Sequence, residues 1–217
     1  MDTDFVNTKN TSQKKLYNLV FGLAVFTILY NIAEGIISTY IGYKDESLVL
    51  FGFGADSFIE VISGLGIAHM VYRIQHHTDC EIDNFERTAL KITGFAFFAL
   101  VIGLVATAFY NLWTGHKPET TFWGVIIAII SILVMLLLLY SKIKAGKKLN
   151  SAAIIADAGC TKVCIYMSIV LLISSLIYEL TGFAYIDTIG TFGLAWFSLN
   201  EGRECFEKAR NNKICSC

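Results

Sequence analysis

Two apolar segments of the chain each carry a pair of ionisable side chains at the same spacing. Asp56 and Glu60 form the first pair and Cys160 and Cys164 the second, and the members of each pair are four positions apart. A separation of four places both members on one face of a helix, about one turn apart. Carboxylates and thiolates are metal ligands. Two such helices in contact would therefore form a metal site.

A serine extends the match between the two segments. Ser47 and Ser151 each stand nine residues before the first member of the pair and thirteen before the second. Two carboxylates and two thiolates that close tetrahedrally favour Zn²⁺ or Cd²⁺. The thiolates disfavour manganese and magnesium, whereas Hg²⁺, Cu⁺ and Fe²⁺ stay open as alternatives.

The composition indicates that helices in a membrane must position these side chains. The chain is 55% hydrophobic and 16% charged, has a single proline, and has a mean hydropathy of +0.58. Apolar runs of about 20 residues are long enough to cross a bilayer as helices, and the alternation typical of a barrel is absent. Six such runs lie at about 16–41, 46–72, 88–113, 120–141, 150–178 and 183–203. We predict an all-α, six-transmembrane-helix bundle.

The predicted organisation has three parts. Residues 1–15 form a polar N-terminal tail, 16–203 the six-helix membrane domain, and 204–217 a short tail that ends in a C-x-C sequence. No apolar core precedes Leu16, so the start does not resemble a cleaved signal peptide. Cys215 and Cys217 at the flexible end either load a soft metal or have no role.

The basic residues predict the orientation. Fourteen of the seventeen Lys and Arg residues fall in the two tails or in the second and fourth connections, with four of them at Lys142, Lys144, Lys147 and Lys148. By the positive-inside rule both termini are cytoplasmic, and we expect a multi-pass protein of the plasma (inner) membrane. The net charge of −1 gives no indication of nucleic-acid binding. No G-x-x-x-x-G-K-[ST] motif occurs, so no ATP-driven pump is indicated.

The residue pattern resembles the membrane domain of the cation diffusion facilitators, which are six-helix zinc and manganese transporters. In that family the second and fifth helices each carry a serine, an Ala-Asp step and two ligands four residues apart. The positions that match here are Ser47, Ala55-Asp56 and Glu60, then Ser151, Ala156-Asp157, Cys160 and Cys164, with Asn31 in the polar first helix. The resemblance covers about residues 14–210 and implies a homodimer.

The chain departs from the family pattern in three respects. Both fifth-helix ligands are cysteine where the family has His or Asp followed by Asp, and Glu60 stands for the usual aspartate. The family's cytoplasmic ferredoxin-like domain is missing, so we expect no soluble C-terminal domain. The first two departures bear on the choice of metal, and the third on regulation and dimer contacts.

These patterns together predict a transporter of a thiophilic divalent cation that works by efflux in exchange for protons. Asp56, Glu60, Cys160 and Cys164 would bind the metal, and protons would neutralise them when it leaves, because buried unpaired charges are costly. We expect no enzymatic activity and no resident cofactor. Two alternatives stay open: a membrane protein that senses metal without moving it, and a thiol oxidoreductase, which the lack of a C-x-x-C sequence disfavours.

Further polar residues could support the site or line a pathway. Asp157 either adjoins the ligands or pairs with Lys162, five residues on. Asn31 and Glu34 on the first helix either line an access route or serve packing. Ser47 and Ser151 belong to the same group of supporting candidates.

Overall fold

The computed structural model describes residues 2–44, 48–76, 82–114, 122–181 and 186–211. These residues form six helices and, within those ranges, no strand: α1 Asp2–Lys44, α2 Leu48–His76, α3 Ile82–Thr114, α4 Phe122–Leu149, α5 Ala152–Thr181 and α6 Ile186–Asn211. Helices α1 to α5 each contain a segment that is long and apolar enough to cross a membrane, whereas α6 does not meet that measure in its described part. The predicted all-helical membrane fold is confirmed.

The helices extend beyond the apolar segments at several ends. Helix α1 begins at Asp2, so residues 2–15, predicted as a tail, are its first turns, and α6 continues past residue 203 to Asn211. Apolar runs in the sequence indicate only the part of a helix that lies in the membrane. Because Lys, Glu and Gln are good helix formers and neither segment contains proline, hydropathy does not mark where the helix ends.

The connection between α4 and α5 consists of only Asn150 and Ser151. Asn150 has a φ of 52°, a left-handed conformation that asparagine tolerates, and the Ser151 amide donates to the Gly146 carbonyl at 3.0 Å. Glu86 of α3 covers the start of α5, because its Oε1 accepts from the Ser151 hydroxyl at 2.7 Å and from the Ala153 amide at 3.1 Å. The prediction of a connecting loop with four lysines is wrong: all four belong to α4.

The bundle packs α1 on α2, α3 on α6 and α4 on α5, and α2 also contacts α5. Large apolar side chains such as Phe97, Ile67 and Leu90 fill the space between the helices. Others point outward, and Leu137 and Ile102 are 73% and 70% exposed. An apolar outer surface on helices of this length suits contact with lipid.

Helices α1 and α2 pack closely at Gly54, two residues before Asp56. A Cβ atom on Gly54 would lie 2.8 Å from the Thr39 amide nitrogen and 2.9 Å from the Gly35 carbonyl oxygen. We expect Gly54→Ala to destabilise the protein by about 1–3 kcal/mol, because the backbones must separate. Thermal unfolding of the purified protein in detergent measures this change.

Gly103→Ala is the matched control, since a Cβ atom there would meet nothing within 4 Å and the residue lies inside α3. This variant should be as stable as the wild type or more stable by about 1 kcal/mol at most. Equal melting temperatures for Gly54→Ala and Gly103→Ala would contradict the close packing of α1 on α2.

Candidate metal centre

Three of the four predicted ligands meet inside the bundle. The Cys164 thiol of α5 lies 3.0 Å from Asp56 Oδ2 and 2.9 Å from Glu60 Oε2 of α2. All three side chains are buried. The acids lie one turn apart on the face of α2 that meets α5, as the four-residue spacing predicts. The arrangement brings one soft and two hard donors to a single point.

The separation of these atoms is that of hydrogen bonds. Ligands of a tetrahedral zinc ion, with bonds of about 2.1 Å to oxygen and 2.3 Å to sulfur, lie about 3.6 Å from each other. Among the described residues, no group of three or more His, Cys, Asp and Glu side chains is arranged to hold a metal ion as it stands. Asp56, Glu60 and Cys164 would therefore have to move apart by about 0.6 Å to bind one.

Cys160 lies one turn away from this cluster. Its buried thiol interacts with Ser63 and, electrostatically, with Asp157, Glu60 and Cys205. Helices α2 and α5 are antiparallel at this point, because Asp56 is beside Cys164 and Ser63 is beside Asp157. The structure thus places the two cysteines at different levels, with only Cys164 between the carboxylates.

A buried lysine adjoins the candidate centre. Lys142 Nζ lies 2.9 Å from Asp157 Oδ2 and 3.6 Å from Glu60 Oε1, and it donates to Thr161 Oγ1 at 2.8 Å. Thr161 in turn donates to Glu60 Oε1 at 2.5 Å, and Ser63 donates to Asp157 Oδ1 at 2.7 Å. The predicted alternative pairing of Asp157 with Lys162 is wrong.

Lys162 instead interacts with aromatic rings. Its Nζ lies 5.6 Å from the ring centroid of Tyr166 and 4.9 Å from that of Phe197, distances that fit cation–π contacts. The half-buried side chain therefore finds partners on α5 and α6.

Sequence reasoning missed Lys142 because it counted the residue with the charges of a connection. A signal was present: Lys142 follows Met135 and Leu138 at helical spacing of seven and four residues, and all three side chains are buried. The three other lysines near the end of α4 lie outside this buried face of the helix and are exposed: Lys144, Lys147 and Lys148.

Glu34 of α1 supplies a third buried carboxylate near the centre. It accepts a hydrogen bond from the Tyr30 hydroxyl and one from the Ser57 hydroxyl, each at 3.0 Å, and Ser57 directly follows Asp56. Asn31 is also buried, but its amide donates within α1 to the Thr27 carbonyl at 2.9 Å. Of these two predicted pathway residues, Glu34 is thus tied to α2 beside the candidate ligands.

The other candidates lie elsewhere. Ser151 covers the start of α5 together with Glu86, and Ser47, Cys215 and Cys217 lie outside the described residues. Cys205 is buried in α6, beyond the predicted sixth membrane segment. Burial, with a contribution from Glu201, raises the pKa of its thiol to about 12. At neutral pH this thiol is protonated and serves packing.

Comparison with known proteins identifies the family. The sequence profile described as the cation efflux transmembrane domain matches residues 23–211, which include all four predicted ligands and Lys142. No curated protein matches the chain. Members of the family are membrane cation transporters, and the resemblance predicted from the paired ligand spacing is confirmed. Since the match covers most of the 217 residues, the chain belongs to the cation efflux family as a multi-pass membrane protein.

Proposed function

We propose that the protein exports a thiophilic divalent cation, Zn²⁺ or Cd²⁺ in preference to other ions, through a site between α2 and α5. The observation that carries this proposal is the position of the Cys164 thiol between the Asp56 and Glu60 carboxylates, all buried inside a membrane bundle. Ionisable side chains at such positions are costly and usually belong to an ion pathway. The family match supports cation transport in general.

The donor set supports the choice of a soft ion. A thiolate beside two carboxylates suits zinc or cadmium better than manganese or magnesium, which prefer oxygen ligands alone. Cys164 is the thiol that adjoins both carboxylates, whereas Cys160, one turn away on the same face of α5, would join the ligands only if α5 shifted along α2. Rocking of helix groups against each other would expose the site to alternate sides.

The same cluster supports exchange for protons. Metal binding requires a thiolate and carboxylates, so binding releases the protons that these groups hold. The Cys164 sulfur lies within hydrogen-bond distance of both carboxylates, which supports protons held at this cluster when no metal is bound. Return of protons after metal release would neutralise buried charges that otherwise lack compensation.

Charge distribution and family membership support the remaining parts of the proposal. Fourteen of seventeen basic residues lie on one predicted side, which supports cytoplasmic termini, and the proposed location is the plasma membrane. The protein would act as a homodimer, as the resemblance implies, and export would run away from the side that carries the termini.

Metal flux into proteoliposomes that contain a pH-sensitive dye tests the proposal. The wild type is compared with Asp56→Asn/Glu60→Gln and with Cys160→Ser/Cys164→Ser, across Zn²⁺, Cd²⁺, Hg²⁺, Cu⁺, Mn²⁺ and Fe²⁺. We expect flux of Zn²⁺ or Cd²⁺ with opposite proton movement, and loss of both in each double variant. Metal binding without flux would assign the protein to metal sensing, and proton movement that persists in both variants would contradict the exchange.

A further inference from the structure

Lys142 lies beside the candidate metal centre but is not one of the proposed ligands, and the proposed function gives it no role. The two oxygens of Glu60 face different partners: Oε2 lies 2.9 Å from the Cys164 sulfur, and Oε1 lies 3.6 Å from Lys142 Nζ. Thr161 donates to the same Oε1. The carboxylate thus stands between the predicted metal position and an ammonium group that belongs to the protein.

Asp157 holds the ammonium group on the other side. Its Oδ2 lies 2.9 Å from Lys142 Nζ, closer than Glu60, and its Oδ1 accepts from Ser63. Lys142 and Asp157 are almost wholly buried, so water does not screen the attraction. The position of the ammonium is therefore set by two carboxylates in competition, one of them a predicted metal ligand.

We propose that Lys142 is a tethered cation that competes with the transported metal for Glu60, and that Asp157 sets the strength of this competition. The inference rests on the proposed function, because it takes Glu60 as a metal ligand. A metal that binds through both oxygens of Glu60 must displace Lys142 toward Asp157. When the ammonium returns to Glu60, it favours release of the metal.

This arrangement makes Lys142 a positioning residue that limits affinity and supports turnover. A buried anionic site without such a cation would hold a divalent ion tightly and release it slowly. The Lys142–Asp157 pair is neutral as a whole, so removing both charges changes the competition for Glu60 and leaves the net charge of the bundle the same.

Two substitutions separate this role from a structural one. Asp157→Asn leaves the ammonium with Glu60 as its only carboxylate partner, so we expect Cd²⁺ to bind about tenfold more weakly. K142M/D157N frees Glu60, so we expect Cd²⁺ to bind about tenfold more tightly, equivalent to about 1.4 kcal/mol. In transport assays the double variant should show a lower KM together with a lower maximal rate.

Calorimetric titration of purified protein with CdCl₂, at fixed pH and beside the flux assay, gives these affinities. K142Q/D157N serves as a second variant that keeps hydrogen-bonding capacity, and it should shift affinity in the same direction as K142M/D157N. A folded double variant with wild-type affinity, or shifts of the same sign in D157N and K142M/D157N, would overturn the inference. A wild type that binds no Cd²⁺ would overturn the proposed function with it, so the two failures are distinguishable.

Discussion

Cys164→Ser should lower the affinity for Cd²⁺ by at least about 100-fold, whereas Cys160→Ser should lower it by less than about tenfold. The first variant removes the sulfur that lies between Asp56 and Glu60, and the second removes a thiol that lies one turn away. Loss of a partner outside the ligand shell typically lowers metal affinity by about 10- to 100-fold, so loss of a ligand should exceed that range.

The serine substitution preserves size and hydrogen bonding but removes the ionisable sulfur. A hydroxyl at position 164 can still bond to either carboxylate, so we expect the bundle to fold normally. It cannot supply a thiolate, which is the form that binds a soft ion. Titration of both purified variants with CdCl₂ measures the difference, and Ser168→Ala, which alters a buried hydroxyl one turn further along α5, is the control.

A different ranking of the two affinity losses would assign different ligands to the metal. Equal losses of about 100-fold in both variants would show that α5 shifts so that both thiols bind at once. A larger loss for Cys160→Ser would move the centre toward Ser63 and Asp157. Unchanged affinity in both variants would exclude thiolate ligation altogether.

The ranking of the two cysteines shows what the sequence could and could not predict. Four-residue spacing identifies the shared face of a helix, and α2 and α5 do bring those faces together. The register between antiparallel helices depends on how their surfaces pack. The spacing of residues within one helix gives no information on that register. The sequence therefore predicted Asp56, Glu60 and Cys164 as neighbours but not the separate surroundings of Cys160.

The basic residues illustrate a second limit. Counting the lysines and arginines in each connection predicts which side of the membrane that connection faces. The count does not distinguish a buried lysine from an exposed one. Lys142 differs from Lys144, Lys147 and Lys148 because the helical period turns it toward α5. Helix ends were missed for a related reason, since α4 ends at a two-residue turn that depends on Asn150 and Glu86 rather than on hydropathy.

Lys142→Met should destabilise the folded protein by about 3–5 kcal/mol, because it leaves the Asp157 and Glu60 carboxylates without the ammonium that both of them face. Removing one partner of a buried ion pair exposes the other to the full penalty of an uncompensated charge. K142M/D157N should recover the part of this stability that is lost at Asp157, since an asparagine needs no counter-ion, whereas the part lost at Glu60 should remain. Reversible unfolding of the purified variants in mixed micelles measures the differences.

Lys148→Met is the matched control, because Lys148 lies in the same helix with its side chain exposed and should change stability by less than about 0.5 kcal/mol. A Lys142→Met protein as stable as this control would show that Asp157 and Glu60 do not depend on the lysine. A K142M/D157N protein as unstable as Lys142→Met would show that the loss of stability does not arise from an unpaired Asp157 carboxylate. If the buried charges are coupled as the distances indicate, the free energies of unfolding of K142M/D157N and Lys142→Met must differ.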